Sequence, residues 1–212
     1  SLGHKIVYIP TLKISATNIS PVDARKYDAF IFTSANAIRN LKLDNQDVSK
    51  ICFCVGSITE KIVRQKGYNN TISAGGTINA LKNIILNSDQ IDKKKSIAYF
   101  CGDYISSDLD LELKNDGFQV DKIINYTSKK ITDLNKENNK IINNHPPDII
   151  FIYSKRSAES FNEIVKKYSL NGLMTESRVL CISEKVLDVL KNLGWRKLEV
   201  FQPGEELEKL KV

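Results

Sequence analysis

The feature that most constrains this chain is that it resembles itself. Residues 54–68, CVGSITEKIVRQKGY, lie over residues 181–195, CISEKVLDVLKNLGW, without a gap. A second pair, YDAFIFTSANAI (27–38) and PDIIFIYSKRSA (147–158), sets Asp28 over Asp148 and Ser34 over Ser154. Each segment reads as a strand, a hydroxyl-bearing turn and a helix. The segments keep the same order in both halves, so the chain is expected to hold two similar α/β units.

Short β-rich runs alternate with helical patterns throughout. The expected strands are Lys5–Ile9, Ala29–Thr33, Ile51–Val55, Thr71–Ser73, Ile97–Cys101, Val120–Tyr126, Ile149–Tyr153, Val179–Ile182 and Leu198–Phe201. Apolar helix faces are expected from Ile58, Ile62 and Val63; from Leu81, Ile84 and Ile85; from Phe161, Ile164 and Val165; and from Val186, Val189 and Leu190. Runs such as AFIF and DIIFIY do not alternate, which suits strands covered on both faces. The fold class is therefore α/β, with parallel β-sheet flanked by helices. Gly67 and Gly194 stand where a helix ends in a left-handed residue.

The division of the chain follows from the repeat. One lobe is expected over residues 18–127. The other is discontinuous, residues 1–17 plus 128–212, and the two crossings form a two-stranded ladder that acts as a hinge. LGHKIVYIPTL matches NDGFQVDKIINY, glycine over glycine, but the strand and helix that should precede Leu2 are absent. By the length of the matching element, roughly 20 residues are expected to be missing there.

Composition narrows the function classes. A hydrophobic fraction of 42% belongs to a folded protein. No apolar run nears the ~20 residues that cross a bilayer, and SLGHKIVYIP lacks a signal-peptide core. The expectation is a cytoplasmic protein with no membrane partner. A net charge of +6 favours an anionic partner. The basic residues are dispersed, and their longest run, Lys93-Lys94-Lys95, reads as a surface turn, so no nucleic-acid partner is expected. Cys52, Cys54, Cys101 and Cys181 fall in buried strands and read as reduced core thiols. With no CxxC pair and with His4 and His145 far from them, no metal site is expected. Neither GxGxxG nor GxxxxGK[ST] occurs, which sets aside the usual nucleotide cradles.

Taken in order, YDAFIFTSANAI, CVGSITEKIVRQKGY, the FCGD strand end, DGFQVDKIINYT, the IYSKRS turn and CISEKVLDVLKNLGW resemble the uroporphyrinogen-III synthase family over nearly the whole chain. The resemblance implies two α/β lobes with the active site in the cleft between them, and a monomeric enzyme without a cofactor. Its substrate would be hydroxymethylbilane, a linear tetrapyrrole with an acetate and a propionate on each ring. The ring closes with inversion of the last pyrrole: loss of the terminal hydroxyl gives an azafulvene, attack at the substituted carbon gives a spiro intermediate, and this fragments and recloses. The substrate supplies the reactivity and cyclises unaided to the uninverted isomer. The protein's task is positioning, which calls for donors aimed at carboxylates and for no nucleophile. A non-catalytic ligand-binding relative on the same plan is the alternative.

The resemblance carries over to individual residues. Tyr126 matches the tyrosine that the family sets at the cleft, where a phenol protonated at neutral pH can donate to the departing hydroxyl; the plain alternative is a structural tyrosine. Thr33 and Ser34 end a strand, and Ser34 also suits a helix N-cap. Gly56, Ser57 and Thr59 form the next turn, Thr59 matching a family threonine that faces the cleft and Gly56 permitting close backbone approach. Gly75-Gly76-Thr77 reads as a capped loop able to hold a carboxylate. Gly102 is a candidate substrate contact; Asp103, being acidic, suits a polyacid poorly. In the other lobe Ser154, Lys155 and Arg156 suit carboxylate binding, and the two cations oppose the helix dipole at that place. Ser183, Glu184, Lys185 and Val186 depart from the glycine-and-threonine turn common in the family, which puts hydroxyl contacts there in doubt; Lys185 is the substitute cation.

Overall fold

The computed structural model describes residues 3–210, and in it strands and helices alternate. In chain order they are β1 (Leu12–Ala16), β2 (Val22–Asp23), β3 (Ala29–Phe32), α1 (Ala35–Arg39), β4 (Leu43–Asp44), β5 (Ile51–Cys54), α2 (Ser57–Gln65), β6 (Thr71–Ser73), α3 (Ile78–Leu86), β7 (Ser96–Gly102), α4 (Leu109–Asn115) and β8 (Gln119–Lys130). Then follow α5 (Lys136–Asn144), β9 (Ile149–Ile152), α6 (Lys155–Lys167), α7 (Asn171–Met174), β10 (Arg178–Cys181), α8 (Glu184–Leu190), β11 (Lys197–Val200) and α9 (Glu206–Lys209). The fold is mixed α/β with mostly parallel sheet flanked by helices. The chain divides into two compact units, one Ile14–Ser128, the other built from the residues up to Lys13 and from Lys129 onward.

In the Ile14–Ser128 unit a six-stranded sheet has the order β1-β8-β7-β3-β5-β6, and β2 and β4 form a separate parallel pair. The centre of the six-stranded sheet, β3, is the AFIF run, and all four residues are buried. Ala29 and Ile31 join the core beneath α3 and α4, with Phe53, Tyr99, Leu81 and Leu113. Phe30 and Phe32 join the opposite core, with Cys52, Cys54, Phe100 and Ile38. Period-2 geometry sends alternate residues of one strand to two cores, which is why the run cannot alternate in polarity. Burying each of Phe30, Ile31 and Phe32 is worth roughly 1.5–3 kcal/mol. Phe100 locks the second core, its ring stacked on Phe32 and edge-on to Phe30, each at 5.6 Å.

β3, β5, β6, β7 and β8 are mutually parallel. The chain runs outward from β3 through β5 to β6, then returns to the other side of β3 for β7 and β8. The order therefore reverses between β3 and β7. In open α/β sheets the crevice beyond the carboxyl ends of the strands at such a reversal is where ligands bind. β1 runs the other way: Thr17 N–H donates to Asn125 O and Ile131 N–H to Thr11 O, so the numbering rises on one strand as it falls on the other.

The second unit holds a three-stranded parallel sheet, β11-β10-β9. One face, with Ile150, Ile152, Val179, Cys181, Leu198 and Val200, meets α6 and α8 through Phe161, Ile164, Val165, Val186 and Leu190. On the other face Phe151, Tyr153 and Phe201 cluster, and the Arg178 guanidinium grips Glu199 through two bonds of 2.6 and 2.7 Å while donating to Lys209 O in α9 at 3.0 Å.

Two expectations need correction, and one helix, α5, lies where none is expected. Lys5–Ile9 is not a strand; the N-terminal strand is β1, beyond Pro10, and Ile6 and Tyr8 are exposed. β-rich composition makes a strand only where an edge is free to pair, and β8 offers its edge to Leu12–Ala16. The polar KENNKIINN run forms α5, capped by Asn135, whose side chain accepts from Asn138 N–H at 2.6 Å. On α2 the buried face is Thr59 and Val63, with Ile62 beside them; Ile58 is exposed because it lies about 140° around the helix from Val63, at roughly 100° per residue. The expected absence of a strand and helix before Leu2 concerns a stretch outside the described residues.

Candidate active site

The reversal between β3 and β7 gathers several of the singled-out residues of the Ile14–Ser128 unit at one edge. β3 ends at Phe32, followed by Thr33 and Ser34; β7 ends at Gly102, followed by Asp103. Thr33 Oγ1 shares a 3.1 Å hydrogen bond with the Tyr99 hydroxyl, a fully buried phenol reaching up from β7. Ser34 caps α1: its backbone is extended (φ −149°, ψ 142°), and its Oγ accepts from Asn36 N–H at 3.2 Å. Capping and ligand contact are both open to it.

Tyr126 stands against this edge from β8. The β7–β8 register runs in step from Ser96↔Gln119 to Cys101↔Ile124, then slips, so that Gly102 pairs with Tyr126. Asn125 is the extra residue of this bulge. The bulge turns the Tyr126 ring over Gly102, where a Cβ would meet Cζ at 2.6 Å and Cε2 at 2.7 Å. Gly102 is therefore glycine for space, since its backbone is not left-handed. Tyr126 is buried, and burial raises its phenol above the usual value. The Ser34 side chain and the Gly102 backbone pull the other way, while Cys101 and Asp103 add to the rise. The phenol therefore stays protonated at neutral pH, with a proton to donate.

Asp103 serves the frame. Its Oδ1 accepts from Ser128 N–H at 2.9 Å, and its own N–H donates to Tyr126 O at 3.1 Å. One residue thus fastens the chain on both sides of Tyr126.

At the end of β5, Gly56 is the N-cap of α2 and gives no side-chain cap. The first N–H groups of this nine-residue helix are therefore left to solvent or to an anion. Ser57 is exposed there, whereas Thr59 is turned inward and is only 7% exposed. A Cβ at Gly56 would meet only Gly76 Cα, at 3.8 Å, and its φ of −148° is open to any residue. The glycine thus leaves room but does not satisfy a backbone need. Gly75 and Gly76 have φ of 65° and 112°, values that favour glycine, and Thr77 Oγ1 caps α3 by accepting from Ala80 N–H at 3.1 Å. That stretch is a capped loop.

The second unit repeats the arrangement. Ser154 caps α6 with φ −159° and ψ 153°, accepting from Ser157 N–H at 3.0 Å. Lys155 is exposed and Arg156 half-buried in the first helical turn. Ser183 opens α8 with φ −164° and ψ 162°, against −148° and 165° at Gly56, so the change from glycine leaves the turn undistorted. Lys185 is exposed beside it.

Among the described residues no cluster of three or more His, Cys, Asp or Glu is placed to hold a metal ion, and no helix is long and apolar enough to cross a membrane. All four cysteines are free and buried. Burial pushes the Cys54 thiol up to about 12 and those of Cys101 and Cys181 up to about 11, so they are inert at neutral pH.

Sequence reasoning missed Asn125 and Tyr99. Both are invisible without the β7–β8 register and the β3–β7 neighbourhood, and neither carries a local motif.

A family model described as HEM4, uroporphyrinogen-III synthase HemD, matches residues 1–204. Among solved structures, uroporphyrinogen-III synthetase from Helicobacter pylori 26695 is similar with a TM-score of 0.66 at 17% identity, over 94% of this chain and 89% of that one. A variant of the uroporphyrinogen III synthase of Thermus thermophilus is similar with a TM-score of 0.59 at 14% identity, over 96% and 85% of the two chains. At these identities the likeness shows the fold. No curated protein matches the sequence significantly.

Proposed function

The chain belongs to the uroporphyrinogen-III synthase family, and from that premise we propose that it is an active synthase, working without a cofactor as a cytoplasmic monomer. It closes hydroxymethylbilane to uroporphyrinogen III with inversion of the last pyrrole ring. The observation that carries this reading is the Tyr126 phenol, turned by a β-bulge over Gly102 and toward Ser34 at the point where the strand order reverses.

The chemistry asks little more of the protein. The C–O bond of the terminal hydroxymethyl group breaks, and its oxygen leaves as water with a proton drawn along the Tyr126 hydrogen bond. The pyrrole N–H proton is given up to solvent, leaving the azafulvene, and Tyr126 takes a proton back from solvent, so the phenol is restored. The last ring then attacks through its substituted carbon, and the spiro intermediate fragments and recloses, so that water is the only product lost overall. Burial keeps Tyr126 protonated and therefore donating. The hydroxyls of Thr33 and Ser34, the Gly102 backbone and the uncapped start of α2 at Gly56, Ser57 and Thr59 suit the substrate's carboxylates. In the second unit Ser154, Lys155, Arg156 and Lys185 suit the same class of ligand. The net charge of +6 favours it as well.

The test supplies freshly prepared hydroxymethylbilane, oxidises the products and resolves them by isomer. Isomer III above the spontaneous background is expected. Only the uninverted isomer, formed at the uncatalysed rate, would remove the enzyme reading in favour of a non-catalytic binding protein. The undistorted turn at Ser183 takes away one reason to prefer that alternative.

A further inference from the structure

We infer that Asn125 is a positioning residue, whose side chain holds Tyr126 and Ser34 in register with each other. The inference rests on Tyr126 being the working phenol of the proposed synthase. Asn125 is the extra residue of the β8 bulge, between Ile124, paired with Cys101, and Tyr126, paired with Gly102. On the β7 side the bulge residue has no ladder partner to hold it, so the orientation of its side chain must come from elsewhere. Here Nδ2 of Asn125 donates to Ala37 O at 2.7 Å.

The acceptor is the telling part. Ala37 lies in α1, and its N–H donates to Ser34 O at 3.0 Å. Leu41 N–H, which would normally take the Ala37 carbonyl four residues back, goes to Ile38 O. The Ala37 carbonyl is thus left for Asn125. The contacts run from Ser34 to Ala37 to Asn125 and on through the backbone to Tyr126, whose phenol the Ser34 side chain pulls down. One bond fixes both sides of the pair.

Two further facts fit this role. The amide is buried, yet among the described residues its Oδ1 finds no partner. Reversing the amide would aim that oxygen at the Ala37 carbonyl, so the orientation is dictated, and the site keeps an unpaired buried acceptor where an apolar residue would avoid one. From the opposite edge, Thr17 pins the same bulge: its N–H donates to Asn125 O at 3.1 Å and its hydroxyl to Ile124 O at 2.9 Å.

The test is a double-mutant cycle in the full chain. Asn125→Ala is expected to lower kcat by the same factor as Tyr126→Phe, with KM little changed, and the double variant is expected to fall no further than Tyr126→Phe alone, within about twofold. Additive losses, or a full loss from Asn125→Ala in the Tyr126→Phe background, would overturn the positioning role. Thr17→Val, at a half-buried site, is expected to move kcat the same way by less, and covers the case in which Asn125→Ala does not fold. A second readout needs no substrate. The phenolate absorbance titration of each chain, minus that of its Tyr126→Phe counterpart, isolates Tyr126, read over the pH range in which circular dichroism shows both chains folded. Loss of Asn125 is expected to move that titration down toward the ordinary phenol; an unmoved titration overturns the inference. If the parent chain makes no isomer III the synthase reading fails, and this titration still decides whether Asn125 holds Tyr126.

Discussion

A methyl group on Gly102 would sit 2.6 Å from Cζ and 2.9 Å from the hydroxyl oxygen of Tyr126, so the glycine is the space that the phenol occupies. Gly102→Ala must push the far end of that ring aside, while the backbone of Gly102 tolerates alanine. The ring is the movable party, so the cost in stability is expected near the low end of the ~1–3 kcal/mol usual for overpacking. Activity is expected to fall at least as far as in Tyr126→Phe, because the ring is displaced as well as the hydroxyl lost from its place. Isomer-resolved assay and denaturant unfolding check the two halves. Full activity in a folded Gly102→Ala would show that the position of Tyr126 does not matter.

Tyr126→Phe removes the donor and keeps the ring. A terminal hydroxyl on a pyrrolic carbon departs readily, so the loss is expected at about tenfold or less, below the ~10²–10⁴ of a full general acid. The fraction of isomer III should hold, since inversion depends on how the ends are held. A collapse to the uninverted isomer would assign Tyr126 to the closure rather than to the leaving group.

The residues that set this geometry were unevenly legible in the sequence. AFIF announced a strand buried on both faces because apolar residues fill both of its sides. Gly67 announced a helix end, and its φ of 97° agrees. Gly102 was named, but not its reason, which is a ring 24 residues further along the chain. Asn125 carried no signal, since a bulge exists only relative to a partner strand. Lys5–Ile9 was misread because strand propensity says nothing about which edge is free. α5 was missed because its polar composition hides two buried positions, Asn138 and Ile142.

Ser34 serves as helix cap and, in the proposed function, as a substrate contact; the two roles separate by substitution. Ser34→Ala is expected to lose ~1 kcal/mol of stability with the cap. Ser34→Asp caps as well and suits the helix N-terminus, so its stability should match the parent, while a carboxylate facing a polyacid should raise KM. Unchanged KM in Ser34→Asp would leave Ser34 with the cap alone.

Alkaline pH should unfold the chain early. The unfolded thiols ionise near 9.0, whereas in the fold burial holds Cys54 near 12 and Cys101 and Cys181 near 11. Tyr27, donating to Asp121 Oδ2 at 3.0 Å, and the buried Tyr68 rise from 10.0 to about 12. Each folded value lies above the unfolded one, so the stability they contribute is complete below about pH 9 and lost as pH rises toward 12. Denaturant midpoints measured between pH 8 and 11, a range chosen from these shifts, should decline steadily from about pH 9. A level midpoint would mean that these groups are not held neutral by the fold.

Lys155 offers the sharpest separation of stability from function. It stands exposed in the first turn of α6, next to the Ser154 cap, where the helix dipole favours negative charge. Lys155→Glu is therefore expected to stabilise the fold slightly, by ~0.3–1 kcal/mol at low salt. If Lys155 helps to hold a substrate carboxylate, the same change should raise KM severalfold, and Lys155→Gln should raise it less. Both KM effects should shrink as salt is added, because exposed charges are screened beyond about 8–10 Å at physiological ionic strength. Stability and affinity moving in opposite directions is the signature of a cation kept for its ligand. A Lys155→Glu chain that is more stable and binds as before would assign that edge of the second unit no part in carboxylate recognition.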